Sequence, residues 1–166
     1  MIGYVLLIVA VIVMGSLVYT WLKSYVPAEA IDCPDGTSVF INNWECSPHV
    51  NGGWQLNVTL RNNGRFNIGG YFLRSTDTAD QELATTDISG KLTNFSGVRL
   101  GNAVKFVPGS DNPLEPGDEA TNVFDLENKI YLIEVLPLRF QTEENKNTLV
   151  SCAGAKIREV INCAEE

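Results

Sequence analysis

The feature that most constrains this chain is a long uncharged run near its start. Residues 2–22 (IGYVLLIVAVIVMGSLVYTWL) carry no charged side chain, and the first charge is Lys23. About 25 residues in a helix span about 38 Å, which exceeds the roughly 30 Å hydrocarbon core of a bilayer. Helix prevails over the strand preference of the many Val and Ile residues, because a segment in lipid must satisfy its backbone hydrogen bonds internally. We therefore predict a hydrophobic helix over residues 1–26 that ends a residue or two before Pro27.

Three fates are open to such a helix. Ala-Glu-Ala at residues 28–30 resembles a signal-peptidase site, but the apolar run exceeds the usual length of about 7–15 residues and no basic region precedes it. A retained single-pass anchor is the second fate, and an interfacial cluster at the outer end fits it: Tyr19, Trp21, Lys23 and Tyr25. In the third, the helix leaves the membrane to pack against copies of itself, because a helix that is apolar on all sides needs apolar surroundings everywhere.

The apolar run begins with MIGYVLLI at residues 1–8 and closes with VYTWL at residues 18–22. Together these motifs resemble the N-terminus of archaeal type IV pilins, in the archaeal pilin and archaellin superfamily. Members typically have a short basic leader and a Gly before the cleavage point, followed by a motif such as IGYVLL. Met1 directly precedes the motif here, so a processed start and a leader outside this numbering both stay open. The glutamate near the mature start of many bacterial pilins is missing, as archaeal relatives commonly tolerate.

The resemblance covers about the first 27 residues and implies a structural subunit of an extracellular archaeal type IV pilus-like filament. Its implied partners are copies of itself through the helix, the membrane before assembly, prepilin peptidase and the pilus assembly machinery. Adhesion or another cell-surface interaction is the implied role. The alternative is a single-pass membrane-anchored cell-surface binding protein with a ligand-binding sandwich head. In the filament, the core contacts would come from Ile2, Tyr4, Val5, Leu6, Leu7, Val9, Ala10, Val13, Leu17 and Trp21.

Beyond Pro27 the sequence is polar and rich in turn residues, with short alternating runs typical of strands. In the clearest run, residues 54–61 (WQLNVTLR), every second side chain is apolar. We predict an all-β head over residues 27–166, an Ig-like or pilin-type β-sandwich of seven or eight strands. The further predicted strands are residues 38–46, 66–75, 81–86, 104–107, 120–126, 129–140 and 157–163.

Glycines and a proline add predictions about the backbone of the head. Gly69-Gly70 indicates a bulge or a close backbone approach within a strand. Gly117, in the turn after Pro116, suits a positive φ. Pro137 interrupts the predicted strand 129–140, which therefore bends or lies at a sheet edge there.

Four cysteines bracket the head: Cys33, Cys46, Cys152 and Cys163. An even number behind an export-type segment predicts two disulfides in an oxidising compartment. Zinc is the alternative, but an all-cysteine site usually has closely spaced pairs, and the sequence contains no Cys-x-x-Cys. Of the three possible connectivities we predict Cys33–Cys46 and Cys152–Cys163, because each closes a short local loop.

Two N-glycosylation sequons occur, at Asn57 (Asn-Val-Thr) and Asn94 (Asn-Phe-Ser). Strand alternation places Asn57 on the face opposite Trp54 and Val58. A glycan on Asn57 would therefore point into solvent and coat a fibre.

The formal net charge is −8, and all twenty carboxylates lie after Pro27. Such acidity disfavours nucleic acid as a partner, because phosphate neutralisation requires Lys and Arg. It fits either a soluble surface or cation-binding loops, for which residues 75–80 and 110–119 are candidates. Calcium needs about six to eight oxygen ligands and neither loop has the EF-hand spacing, so we expect solvated turns and no metal or cofactor.

The sequence contains none of the common catalytic motifs for nucleophilic, metallopeptidase or nucleotide chemistry. His49 is the single histidine, in a Ser-Pro-His-Val loop, where a solvated side chain is expected. The cysteines would be paired and therefore not nucleophilic. We expect the chain not to be an enzyme.

Overall fold

The computed structural model describes residues 2–25, 32–50, 52–93, 97–106, 111–143 and 146–163. The chain divides into two compact units, Met1–Ile31 and Asp32–Glu166. The first contains the helix α1 (Ile2–Tyr25), and the second, the head, is built from antiparallel strands. An apolar N-terminal helix followed by an all-β head confirms the predicted fold class. The helix ends at Tyr25, as expected for a segment that approaches a proline.

The described part of the head contains ten strands and two short 3-10 turns, Ser89–Lys91 and Ala153–Ala155. In chain order the strands are β1 (Val39–Pro48), β2 (Trp54–Asn62), β3 (Gly70–Thr76), β4 (Thr86–Asp87), β5 (Gly97–Leu100), β6 (Ala103–Phe106), β7 (Glu119–Leu126), β8 (Leu132–Glu143), β9 (Lys146–Ser151) and β10 (Ile157–Val160).

These strands form two antiparallel sheets. The three-stranded sheet has the order β1-β2-β7, and the seven-stranded sheet has the order β10-β8-β3-β6-β5. In the larger sheet, β4 also pairs with β3, and β9 pairs with β8. Because β8 pairs with β3 along one side and with β10 and then β9 along the other, it is the best-connected strand of the head.

The two sheets pack their inner faces on one common core. Strand β2 alternates as predicted, with Leu56, Val58 and Leu60 fully buried between more exposed neighbours. A hydrogen bond also joins the two layers, since Asn122 Nδ2 donates to Tyr71 Oη at 2.8 Å in the buried interior. From the seven-stranded sheet the core receives Tyr71, Leu73, Val104, Phe106, Ile133 and Val135.

The backbone predictions at Gly70 and Gly117 are confirmed. A Cβ atom on Gly70 would lie 2.2 Å from the carbonyl oxygen of Val104, so only glycine fits there. Gly117 has a φ of +94°. Of the two alternatives predicted at Pro137, a bend or a sheet edge, the edge is wrong, because β8 has β3 on one side and β10 and β9 on the other. On one side of β8, however, the paired strand changes from β10 to β9 at this proline, which has no N–H to donate.

Some strand boundaries differ from the predictions. Strands β5 and β9 have no predicted counterpart, and the predicted strand 66–75 begins only at Gly70. Of residues 81–86, only Thr86 enters a strand. Asp80 has a positive φ of 64° and Gln81 accepts a hydrogen bond from Thr76 Oγ1, so the chain turns back before it can extend along β3.

The predicted disulfide connectivity is wrong. The bridges are Cys33–Cys152 and Cys46–Cys163, with sequence separations of 119 and 117 residues. Short loops were expected to favour local pairing, but the fold brings the start of the head beside its end. Cys46 lies on β1 of the three-stranded sheet and Cys163 follows β10 of the other sheet, so this bridge crosses the core between the layers.

Candidate functional site

The helix α1 exposes its apolar side chains on every side. All its described side chains are solvent-exposed, and the large apolar ones range from 50% exposed at Val13 to 81% at Tyr4. The side chain of Ile2 lies outside the described residues. The other predicted core residues are all exposed: Tyr4, Val5, Leu6, Leu7, Val9, Ala10, Val13, Leu17 and Trp21.

Two hydroxyl groups of α1, those of Ser16 and Thr20, are satisfied within the helix. Ser16 Oγ donates to the carbonyl oxygen of Val13 at 2.9 Å, and Thr20 Oγ1 donates to that of Ser16 at 2.8 Å. These groups can therefore enter an apolar environment without losing a water partner. With Gly3–Lys23 long and apolar enough to span a membrane, the helix is suited to lipid or to a bundle of like helices.

A shallow apolar groove runs along one side of α1. It is open to solvent, with a volume of about 500 Å³, and its floor is formed by the small residues Ala10 and Gly15. A Cβ atom added to Gly15 would meet no atom within 4 Å. The rim consists of Leu7, Val11, Met14 and Val18. Small residues let helix backbones approach closely, so this side is shaped to receive side chains of another helix.

A charged cluster on the head was not predicted from the sequence. Glu134 on β8 is only 3% exposed, and its carboxylate contacts Arg158 Nε at 2.8 Å, Lys156 Nζ at 3.4 Å and an Arg74 guanidinium nitrogen at 3.9 Å. Burial raises the pKa of Glu134, but the hydrogen bond from Arg158 and the charge of Lys156 outweigh burial and hold that pKa below its ordinary value. The signal available in the sequence was a lone glutamate inside the apolar run LIEVL.

The two predicted glycosylation sites have different outcomes. Asn57 lies on the outer face of β2, as predicted, between Glu45 of β1 and Val123 of β7. It is half-buried, and its Oδ1 is buried without a hydrogen-bond partner. Asn94 lies outside the described residues. Glycosylation of both residues stays a prediction.

A cleft of about 660 Å³ lies beside the β1–β2 hairpin. His49 is in the hairpin turn, where its N–H donates to Gly53 and its carbonyl accepts from Gly52. Two charged groups of the cleft, Lys91 and Glu127, pair with each other. Lys91 donates to Glu127 and lowers the pKa of that carboxylate, first through the hydrogen bond and then through its charge. The lining also includes Trp54, Leu92, Thr93 and Asp125.

Both acidic loops hold carboxylates that contact neighbouring groups, and in residues 75–80 Asp77 accepts a hydrogen bond from Thr78 Oγ1. Asp111 accepts a hydrogen bond from Asn147 Nδ2 at 2.6 Å and lies 3.8 Å from Lys105 Nζ. Asp118 accepts a hydrogen bond from the backbone N–H of Glu115. Among the residues that the structure describes, no three His, Cys, Asp or Glu side chains are grouped so that they could hold a metal ion.

Comparison of the chain with protein-family models, with curated proteins and with solved structures found no match. What the protein can do therefore follows from the chemistry of its two units. One is a helix that requires apolar surroundings, and the other is a disulfide-linked β head with an internal core.

Proposed function

We propose that this chain is a structural subunit of an extracellular filament of the archaeal type IV pilus kind. It polymerises through α1, and the head forms the surface of the fibre. The observation that supports this function is the exposure of apolar side chains around the whole circumference of α1. Burial of one such side chain contributes about 1.5–3 kcal/mol, so the helix has a strong drive towards lipid or towards other helices.

The groove floored by Ala10 and Gly15 favours helices over lipid as the final surroundings. Lipid tails fill any surface equally well, whereas a groove of small residues allows close packing with another helix. The similarity of residues 1–8 and 18–22 to archaeal pilin N-termini points to the same arrangement. Before assembly, α1 resides in the membrane.

The head supports an extracellular location. Both its disulfides join residues far apart in sequence, and disulfides persist in oxidising compartments outside the cytosol. The head also keeps its core without α1, since the buried apolar side chains of the core all belong to residues after Asp32. A fibre with helices inside and heads outside satisfies both units.

The substitution Ala10→Asp tests whether α1 is buried in an apolar core. An unpaired carboxylate in such surroundings costs about 3 kcal/mol or more, so we expect no fibres in electron micrographs of the purified protein. Val50→Asp is the matched control, because Val50 is 97% exposed in the head hairpin. It should assemble like the wild type. Normal fibres from Ala10→Asp would contradict a buried helix.

A membrane-anchored surface binding protein is the second candidate, and the cleft beside Trp54 favours it. The substitution Gly15→Leu separates the two functions. It fills the groove while it improves helix propensity by about 1 kcal/mol, so an anchor would be unaffected. A filament subunit should lose most assembly as measured by sedimentation. The control Ile12→Leu should not, because Ile12 lies outside both the groove and the predicted core contacts. Unchanged assembly of Gly15→Leu would show that the groove has no role in helix packing.

A further inference from the structure

A cluster with an excess of positive charge lies on the outer face of the seven-stranded sheet, beside a hollow lined by Asp80 and Glu82. Arg74, Lys156 and Arg158 surround the single carboxylate of Glu134, so the cluster has two uncompensated positive charges. Asp87 on β4 lies across from Arg74 and offsets part of its charge. The excess is therefore greatest at Lys156 and Arg158, whose side chains are 38% and 39% exposed. We call this surface the basic face.

Apolar side chains lie beside these cations. Phe72 and Leu136 are cross-strand partners on β3 and β8, next to the pair formed by Arg74 and Glu134, and both are half-buried. Strand alternation puts them on the same outer side of the sheet. An aromatic and aliphatic centre with arginines at its margin is the composition enriched in protein interfaces.

The outer face of the three-stranded sheet has the opposite charge. Its outward positions include three carboxylates, Glu45 on β1 and Glu119 and Asp125 on β7, but one cation, Arg61 on β2. Arg61 Nε lies 3.8 Å from Glu119, which leaves two negative charges in excess. We call this surface the acidic face. Its other outward side chains are uncharged: Phe40, Asn42, Asn43, Ser47, Gln55, Asn57, Thr59, Thr121 and Val123.

The basic and acidic faces lie on opposite sides of the head. Each belongs to a different sheet, and the inner surfaces of both sheets contribute to the common core. A contact between unlike faces of two copies leaves one face of each copy free for the next. Such heterologous contacts build open chains and need not close after two subunits.

We propose that, in the filament, the basic face of one head docks on the acidic face of a neighbouring copy. This inference rests on the proposed filament function. The head unit carries the whole net charge of −8, because Lys23 and Glu29 before it cancel, so heads arranged around a helical core repel each other. Contact between unlike faces replaces part of this repulsion with attraction and fixes the orientation of neighbouring heads.

Docking and glycosylation of Asn57 exclude each other. Asn57 lies in the middle of the acidic face, on the central strand, with Glu45 and Val123 as its cross-strand partners. A glycan at this position would separate the two faces. Mass spectrometry of glycopeptides from assembled fibres therefore tests the docking: unmodified Asn57 is expected, and a fully glycosylated Asn57 would overturn it.

Reciprocal charge reversal is the main test. Glu45→Lys with Asp125→Lys reverses the acidic face, and Lys156→Glu with Arg158→Glu reverses the basic face. In full-length chains, each reversal should raise the concentration needed for fibres about tenfold at low salt, as measured by sedimentation and electron microscopy. The chain that carries all four substitutions should assemble like the wild type, because attraction between unlike faces is restored.

Asp32→Lys with Asp35→Lys is the matched control, since it changes the net charge as much as the acidic-face reversal but lies in the exposed loop before β1. It should form fibres at the same concentration as the wild type. The effect of the face reversals should shrink in 1 M NaCl, where the screening length falls to about 3 Å.

The outcomes distinguish the docking from the filament itself. If the wild type forms no fibres, the proposed function fails and the docking with it. If wild-type fibres form and the acidic-face reversal has the same threshold as wild type and control, the docking is overturned and the filament stands. The basic-face reversal could impair folding, because it deprives Glu134 of its partners, and thermal unfolding would reveal such a defect. In that case the acidic-face reversal alone still tests the docking.

Discussion

The helix α1 and the head place their apolar side chains in opposite environments. In the head, Leu56, Val58 and Leu60 are completely buried, whereas in α1 Tyr4 is 81% and Leu6 is 65% exposed. The head therefore contains the contacts that stabilise it, while the contacts that stabilise α1 must come from lipid or from other chains. It follows that substitutions in α1 can remove the proposed assembly without unfolding the head. Substitutions in the head can unfold it without removing the drive of α1 towards apolar surroundings.

Removal of both disulfides should have the largest effect on the head. Each bridge closes a loop of more than 110 residues, but once one bridge is present the other closes a ring of only about two dozen. On the chain-entropy estimate, loss of either bridge costs about 3 kcal/mol and loss of both about 8 kcal/mol. Chemical denaturation of the single and double cysteine-pair variants would measure this.

The comparison with α1 makes the same variants more informative. The double variant should no longer show the unfolding transition of a folded head in chemical denaturation. It should still partition into membranes or detergent through α1. If loss of both bridges cost no more than twice the loss of one, the two bridges would not close a common small ring. A soluble double variant would contradict the independence of the two units.

Glu134→Gln should have an intermediate and pH-dependent effect. Because the folded-state pKa of Glu134 is lowered, its contribution to stability is fully present above the ordinary glutamate pKa of about 4.3 and is lost as the pH falls through the folded-state pKa. At pH 7 the variant should lose about 1–2 kcal/mol, a modest value because its cationic partners are partly solvated.

The deficit of Glu134→Gln relative to wild type should shrink as the pH falls from about 5 towards 3, when measured by urea unfolding. Glu45→Gln is the control, because Glu45 is an exposed carboxylate; it should change stability by less than about 0.5 kcal/mol. A deficit that stays constant across this pH range would show that the charge of Glu134 does not stabilise the head.

Tyr71→Phe should have the smallest effect, confined to the head. Burial raises the pKa of Tyr71, so its hydroxyl stays neutral and accepts the hydrogen bond from Asn122. Loss of this acceptor should cost about 0.5–1.5 kcal/mol in thermal unfolding. The double variant with Asn122→Leu should cost less than the sum of the single variants. Strict additivity would mean that this hydrogen bond does not couple the two sheets.

The sequence predicts those parts of the fold whose signal lies within a few neighbouring residues. The end of α1 follows from Pro27, and β2 is predicted to within one residue because its apolar side chains alternate regularly. Strand β9 (KNTLVS) lacks such alternation and becomes a strand because it pairs with β8. The strand predicted over residues 81–86 does not form before Thr86, because the backbone of Asp80 is left-handed. The sequence carries no clear signal for that conformation.

The candidate surfaces depend on tertiary structure and were less predictable. The exposure of α1 follows from its composition. In contrast, Glu134 meets Arg158 only because β8 and β10 are neighbours, although the two residues are 24 positions apart. The predicted disulfide pairing was wrong for the same reason, because a short sequence separation does not determine which strands become adjacent. A charged residue within an apolar strand was the one local sign of the basic face.

The bridge between Cys33 and Cys152 determines how the head responds to mechanical tension. Cys33 is the second residue of the head unit, so a pulling force that arrives from α1 reaches this covalent link almost at once. Force between α1 and the residues after Cys152 then passes through the sulfur atoms and bypasses β1 to β9, while β10 stays in its path. The 119-residue separation corresponds to about 400 Å of extended chain that cannot be pulled out while the bridge is intact. Stretching single molecules should show this hidden length only after reduction.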